Sequence, residues 1–185
     1  MSNKIYTHCL DPGHGGSDPG AVGKRSHEAD IVLVIAKIVG RILVENGQKV
    51  IYTRTTDKYL TLSQRATISN NNKCDTFKSI HCNSFVDKTA HGVETFSYPI
   101  SSNGAKLSKF VQEELVKSTL LTNRGCKTAN FGVLRLTYMP AILVETAFIS
   151  NAIEEDALLQ YAFQEKIALS IVKGIFSYLG LTFNK

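Results

Sequence analysis

The sequence predicts an α/β protein, a sheet covered by helices on both faces in a single domain, and three observations carry that expectation. Short runs rich in β-branched residues alternate along the chain with longer segments of helical apolar period. The 185 residues suit one hydrophobic core. No internal repeat, low-complexity tract or linker interrupts them, so one domain fills residues 1–185.

Taken in order, Lys4 to Leu10 reads as a strand that runs into the turn formers Asp11-Pro12-Gly13-His14-Gly15-Gly16. From Glu28 to Glu45, residues Ile31, Val32, Ile35, Ile38, Val39, Ile42 and Leu43 recur at helical spacing, and Gly47 supplies a stop. Lys49 to Thr53 suits a strand, Leu60 to Ile68 a helix, and Cys74 to His81 and Gly92 to Tyr98 two further strands. Leu107, Phe110, Val111, Leu115 and Val116 mark one face of the next helix. After a polar loop, Phe131 to Leu136 and Ala141 to Phe148 read as strands separated by Met139-Pro140. Asn151 to Glu154 matches a capping box, opening a helical pattern that continues through Leu169, Ile171 and Ile175 to Gly180.

Composition narrows the function classes. With 43% hydrophobic and 20% charged residues the chain has the balance of a soluble globular protein. The first residues carry no apolar run of signal-peptide length, and Ile31 to Ile42 is too short and too charged to span a bilayer, so neither secretory export nor a membrane anchor is expected. The net charge of +5 is diffuse, with no basic run longer than Lys24-Arg25; this argues against an arm that tracks a phosphate backbone. The four cysteines are dispersed without a CxxC pair, as expected of reduced and mostly buried thiols.

Glu145 is the most informative oddity, a carboxylate in the middle of the apolar run Ala141 to Phe148. Burying it costs several kcal/mol unless it finds a partner or a proton. A salt bridge, with Arg135 as the obvious partner, and a catalytic role are both open. His14 stands among Gly13, Gly15, Gly16 and Gly20, where the backbone can crowd a metal or ligand, and an exposed turn is the bland alternative. His81 also ends an expected strand, and carboxyl ends of parallel strands form the ligand crevice of open α/β sheets. Glu28, at a helix start, either serves the helix dipole or completes a two-His, one-carboxylate set. Three such ligands with a fourth position open are the pattern of a catalytic zinc site, where a nearby carboxylate can take a proton from water.

At these residues the chain resembles the amidase-3 family of N-acetylmuramoyl-L-alanine amidases. The resemblance covers essentially the whole chain. It rests on DPGHGG and DPGAVG (Asp11 to Gly16, Asp18 to Gly23), Glu28, GQKVIYTR (Gly47 to Arg54), LSQRATISN (Leu62 to Asn70), SIHCNS (Ser79 to Ser84), GVETF (Gly92 to Phe96) and PAILVETAFISN (Pro140 to Asn151). It implies a mixed, mostly parallel six-stranded sheet, Zn²⁺ bound by His14, Glu28 and His81, and Glu145 as the catalytic carboxylate. The implied reaction hydrolyses the amide between N-acetylmuramic acid and L-alanine in peptidoglycan. The chain departs from the family pattern around the second ligand, where it reads HEADI, leaving His27 as a rival ligand.

Weaker assignments are Asn83 as a hydrogen-bond support for His81 and Arg135 as a grip on a stem-peptide carboxylate. The rival readings are a cysteine hydrolase built on Cys82 and a non-catalytic wall-binding or nucleic-acid-binding module. On the amidase reading the partner is peptidoglycan, the domain is monomeric, and a separate wall-binding domain is an open question. Without a leader, the enzyme would reach the wall through lysis, a phage-made hole or passage from a mother cell, with a phage endolysin as the first expectation.

Overall fold

In the computed structural model, which describes residues 4–183, the elements follow as β1 (Thr7–Pro12), α1 (Glu28–Glu45), β2 (Lys49–Tyr52), α2 (Leu62–Asn71), β3 (Thr76–Asn83), β4 (Val93–Ser97), α3 (Ser102–Thr119), β5 (Asn123–Thr128), α4 (Gly132–Leu136), β6 (Ala141–Phe148), α5 (Ala152–Leu158) and α6 (Tyr161–Leu179). Residues 1–3, read above as part of a leaderless N-terminus, and residues 184–185 of the single domain lie outside the described residues. The strands form one six-stranded sheet in the order β2-β1-β3-β6-β4-β5. Pairing is parallel throughout except between β4 and β6, so the sheet is mixed and mostly parallel.

Alternation along the strands divides the core. Leu10, Ile80, Ile142 and Val144 face α1, α3 and α6, whereas Cys9, Phe77, Ala141 and Leu143 face the opposite side with Val133 and Leu134 of α4. Helix α1 matches its expected limits, because its apolar stripe buries Ile31, Val32, Ile35, Val39 and Leu43 between sheet and α6. Helix α2 is fixed by a capping box between Thr61 and Gln64. Among the described residues no helix is long and apolar enough to cross a membrane.

Three expectations fail on local detail. Phe131 to Leu136 is not a strand: residues Gly132–Leu136 form the single helical turn α4, closed by Leu134 N and Arg135 N donating to Phe131 O, with Val133 and Leu134 buried in one cluster with Cys9, Phe77 and Leu143. The sixth strand is instead β5, an edge strand of polar residues (NRGCKT), mostly exposed, with no apolar alternation for a sequence reading to detect. The terminal helical pattern is two helices, broken where Gln160 turns extended as the N-cap of α6. Asn151 caps α5 through Ile153 N and Glu154 N, yet there is no reciprocal box, since Glu154 turns away to accept from Gly92 N and Phe148 N.

Candidate metal centre

Parallel pairing of β1 with β3, and of β3 with β6, aligns the carboxyl ends of three strands, and the residues there carry the chemistry. His14 leaves the loop after β1, His81 lies near the end of β3, and Glu145 pairs with His81 across β6. Glu28, the first residue of α1, reaches in from beside them. One ligand atom from each of His14, Glu28 and His81 lies within 4.8 Å of the other two.

Backbone shape makes this convergence sterically feasible. His14 sits at φ 58°, in the left-handed region that L-residues seldom adopt. A Cβ on Gly13 would lie 2.2 Å from the His81 ring, and one on Gly20 would lie 2.6 Å from His14 and 2.7 Å from Glu28. Glycine is therefore required at both positions.

Each ligand is held from behind. Glu28 Oε1 accepts from Cys82 N at 3.0 Å and is hydrogen-bonded to His81 Nδ1 at 2.8 Å. Its Oε2 accepts from Ala21 N at 2.8 Å and lies 3.2 Å from His14 Nε2. His14 Nδ1 is hydrogen-bonded to Asp18 at 2.8 Å, an arrangement that fixes the ring and leaves Nε2 facing the cluster. Behind His81, Nε2 meets Ser79 Oγ at 3.1 Å, and Ser79 donates to buried Asp11 at 2.7 Å. Arg65 pairs with Asp11 at 2.9 Å and donates to the carbonyls of Pro12 and His14, while Arg54 donates to those of Pro12, Gly13 and Ala29. Asp18, Ser79, Asp11 and the two arginines were not singled out in the sequence, although all lie inside the family-like motifs.

Electrostatics follows from these contacts. Burial pulls the His14 pKa down, but the Glu28 and Asp18 carboxylates outweigh it and lift the value to about 9. Burial alone would raise Glu28; the His14 and His81 rings hold it far below the usual carboxylate range. Glu145 is hydrogen-bonded to neither ring. Burial raises it to about 7, with His81 opposing and Glu28 and Glu94 reinforcing the rise. Its Oε2 is buried without a hydrogen-bond partner among the described residues. Glu145 lines, with His14, His81, Asp18 and Phe131, a cleft of about 410 Å³.

Other residues named from the sequence lie apart. His27 is an exposed N-cap of α1 whose nearest charge is Asp30 at 3.9 Å, so it is no rival ligand. Asn83 does not support His81; its side chain donates to Glu94 at 2.5 Å. Arg135 neither pairs with Glu145 nor reaches the cleft: it donates to Asn130 at 2.6 Å and lines a separate hollow with Tyr98 and Tyr138. Cys82 points away, buried against Thr146, and burial pushes its thiol well above the ordinary range, which removes it as a nucleophile.

The family model described as N-acetylmuramoyl-L-alanine amidase matches residues 9–177. The chain is 39% identical over 171 residues to an uncharacterized Bacillus subtilis protein, YqiI, spanning 91% of this chain and 82% of the relative. It is 36% identical over 172 residues to the N-acetylmuramoyl-L-alanine amidase LytC of Bacillus subtilis, spanning 91% of this chain but only 34% of LytC. The catalytic domain of CwlV, an N-acetylmuramoyl-L-alanine amidase of Bacillus (Paenibacillus) polymyxa, superposes with a TM-score of 0.92 at 35% identity, covering 96% of this chain and 100% of that one.

Proposed function

Because the chain belongs to the amidase-3 family of N-acetylmuramoyl-L-alanine amidases, we propose that it is a zinc-dependent peptidoglycan amidase with Glu145 as its proton carrier. The bond cleaved is the amide between the lactyl group of N-acetylmuramic acid and L-alanine. The observation that carries the reading is the convergence of His14, Glu28 and His81 on one point of a cleft whose wall holds Glu145.

The donor set fits zinc. Two imidazole nitrogens and one carboxylate oxygen match the ligands of catalytic zinc sites, and three protein ligands leave room for water and substrate. When bound, the ion supplies Lewis-acid charge for the scissile carbonyl and lowers the pKa of water. Asp18, at His14 Nδ1, keeps the Nε2 lone pair free for coordination. Ser79 does the corresponding service at His81 Nε2, leaving Nδ1 to the cluster.

Glu145 then manages protons. A carboxyl raised to about 7 by burial divides its population between acid and base at neutral pH, so it can take a proton from the attacking water and return it to the departing L-alanine nitrogen. Its side chain lines the cleft, while its Oε2 is buried with no hydrogen-bond partner among the described residues to hold the charged form. Arg54 and Arg65 hold the carbonyls of the His14 loop and thereby the position of the first ligand.

Digestion of purified peptidoglycan with end-group identification tests the reading. New L-alanine amino termini should accumulate, disappear with a chelator and return with Zn²⁺, and His81→Ala should lack bound zinc by elemental analysis. New reducing sugar ends instead, or wall binding without any new termini, would overturn it.

A further inference from the structure

Strand β5, the polar edge of the sheet, carries a charged cluster that the amidase reading leaves unused. Glu94 on β4 stands directly opposite Glu145 in the antiparallel pairing and so shares its face of the sheet. Arg124 and Lys127 of β5 both pair with Glu94, Arg124 at 3.1 Å, and Asn83 donates to the same carboxylate. The Glu94 side chain is 6% exposed, whereas those of Arg124 and Lys127 are 34% and 42% exposed. Glu94 therefore meets two cations at the rim, and Arg124 also lies in the field of the Glu154 carboxylate.

The cations are oriented. The Arg124 guanidinium stacks 4.8 Å above the Phe148 ring and its Nη1 donates to His91 O, while Nη2 has no hydrogen-bond partner among the described residues. Lys127 lies 5.8 Å from the Phe96 ring, which in turn packs edge-on against Phe131, a wall of the Glu145 cleft. Moving outward from the ligand His81, the face reads His81 on β3, Glu145 on β6, Glu94 on β4 and the two cations on β5.

Resting on the amidase reading, we propose that Arg124 and Lys127 form a carboxylate subsite for the stem peptide, reading the free α-carboxylate of the acidic residue that follows L-alanine. Neighbouring strands lie about 4.8 Å apart, so the cations, reaching back over β4, sit roughly one strand beyond Glu145. L-alanine and the next residue extend about 7 Å from the scissile nitrogen, a reach long enough to span that offset. The subsite distinguishes a free carboxylate from its amide, because the amide carries no charge and presents donors to a site made of donors. Glu94 acts as a positioning residue that holds both side chains at the rim.

Hydrolysis and binding of two synthetic compounds test this: N-acetylmuramoyl-L-Ala-D-Glu with its γ-carboxyl capped as the methylamide, and the same molecule with its α-carboxyl also amidated. The wild-type zinc enzyme should prefer the acid by about tenfold in kcat/KM, the worth of one charge-assisted hydrogen bond, mainly through KM. In Arg124→Gln and in Lys127→Met the acid-to-amide ratio should fall toward one, and Lys127→Arg should restore it. Calorimetric binding of the capped L-Ala-D-Glu product and its α-amide should follow the same ratio. A ratio unchanged in both variants, or equal losses on acid and amide, would overturn the subsite while leaving the amidase reading intact. A wild-type enzyme that cleaves neither compound nor intact peptidoglycan would overturn the parent reading and this one together.

Discussion

At the carboxyl ends of β1 and β3 buried charge is matched, and at the amino ends of the same strands it is not. Asp11 has Arg65 at 2.9 Å plus hydroxyl donors from Thr53 and Ser79, and Glu28 has two imidazoles and two backbone amides. At the other end Lys78 is fully buried with only Thr76 as hydrogen-bond partner among the described residues, next to a buried His8 that also bonds Thr76. Burial draws Lys78 down to about 7, with Cys9, Cys74 and Asp75 only partly opposing, and draws His8 down to about 2, reinforced by Lys78. The difference teaches how to read a perturbed group. Glu145 and Lys78 are both shifted to about 7 by burial, but only Glu145 opens onto a cleft beside a cluster of metal-binding type. A shifted pKa marks chemistry only where substrate can arrive.

The largest effect should come from the open end. Glu145→Gln preserves shape and removes the exchangeable proton, so turnover of peptidoglycan should fall by about two to four powers of ten. Zinc content measured on the same sample should stay at the wild-type level, since Glu145 is not one of the three side chains of the His14, Glu28 and His81 cluster. Normal lytic activity in this variant would erase the distinction between the two shifted groups.

Next in size is the matched pair beneath the site. Arg65→Met leaves Asp11 buried with hydroxyl donors alone and takes the Arg65 donors from the carbonyls of Pro12, which keeps Arg54, and His14. Removing one partner of a buried ion pair costs about 3–5 kcal/mol, to be read from urea unfolding at pH 7. A loss below about 1 kcal/mol would mean that Thr53 and Ser79 suffice and that the charge is not matched in the sense argued here.

Legibility in the sequence tracks the same contrast. Helix α1 and strand β6 were readable because burial on one stripe or on both faces writes itself into apolar spacing. The edge strand β5 was not, because it is held by pairing with β4 and by ion pairs rather than by apolar contacts. His14, Glu28, His81 and Glu145 stood out as polar residues in glycine-rich, helix-start or apolar settings, and the topology brings all four together. Asp18, Ser79 and Arg65 look ordinary in sequence, since Arg65 acquires its meaning from Asp11, which lies 54 positions away. Arg135 was chosen for its chemistry on a strand that does not exist; the guanidinium beside β6 belongs to Arg124, stacked on Phe148, from the strand that was missed.

The smallest effect tests the unmatched end and concerns stability alone. Lys78 has a folded-state pKa near 7 against an ordinary 10.5, so between these values the unfolded chain binds the extra proton. The folded state must shed that proton, and shedding becomes easier as pH rises. Stability lost to burying Lys78 is therefore greatest below pH 7 and is recovered as pH climbs toward 10.5. Between pH 7 and 9 the wild type should gain about 2 kcal/mol relative to Lys78→Met, measured as the pH dependence of the difference in unfolding free energy. Lys78→Met should also be the more stable protein at pH 6, because it replaces an amine that is buried while still protonated with an apolar side chain of similar length. Parallel pH profiles for the two proteins would show that Lys78 keeps its charge in the fold, and that the amino end of the sheet hides a partner for it after all.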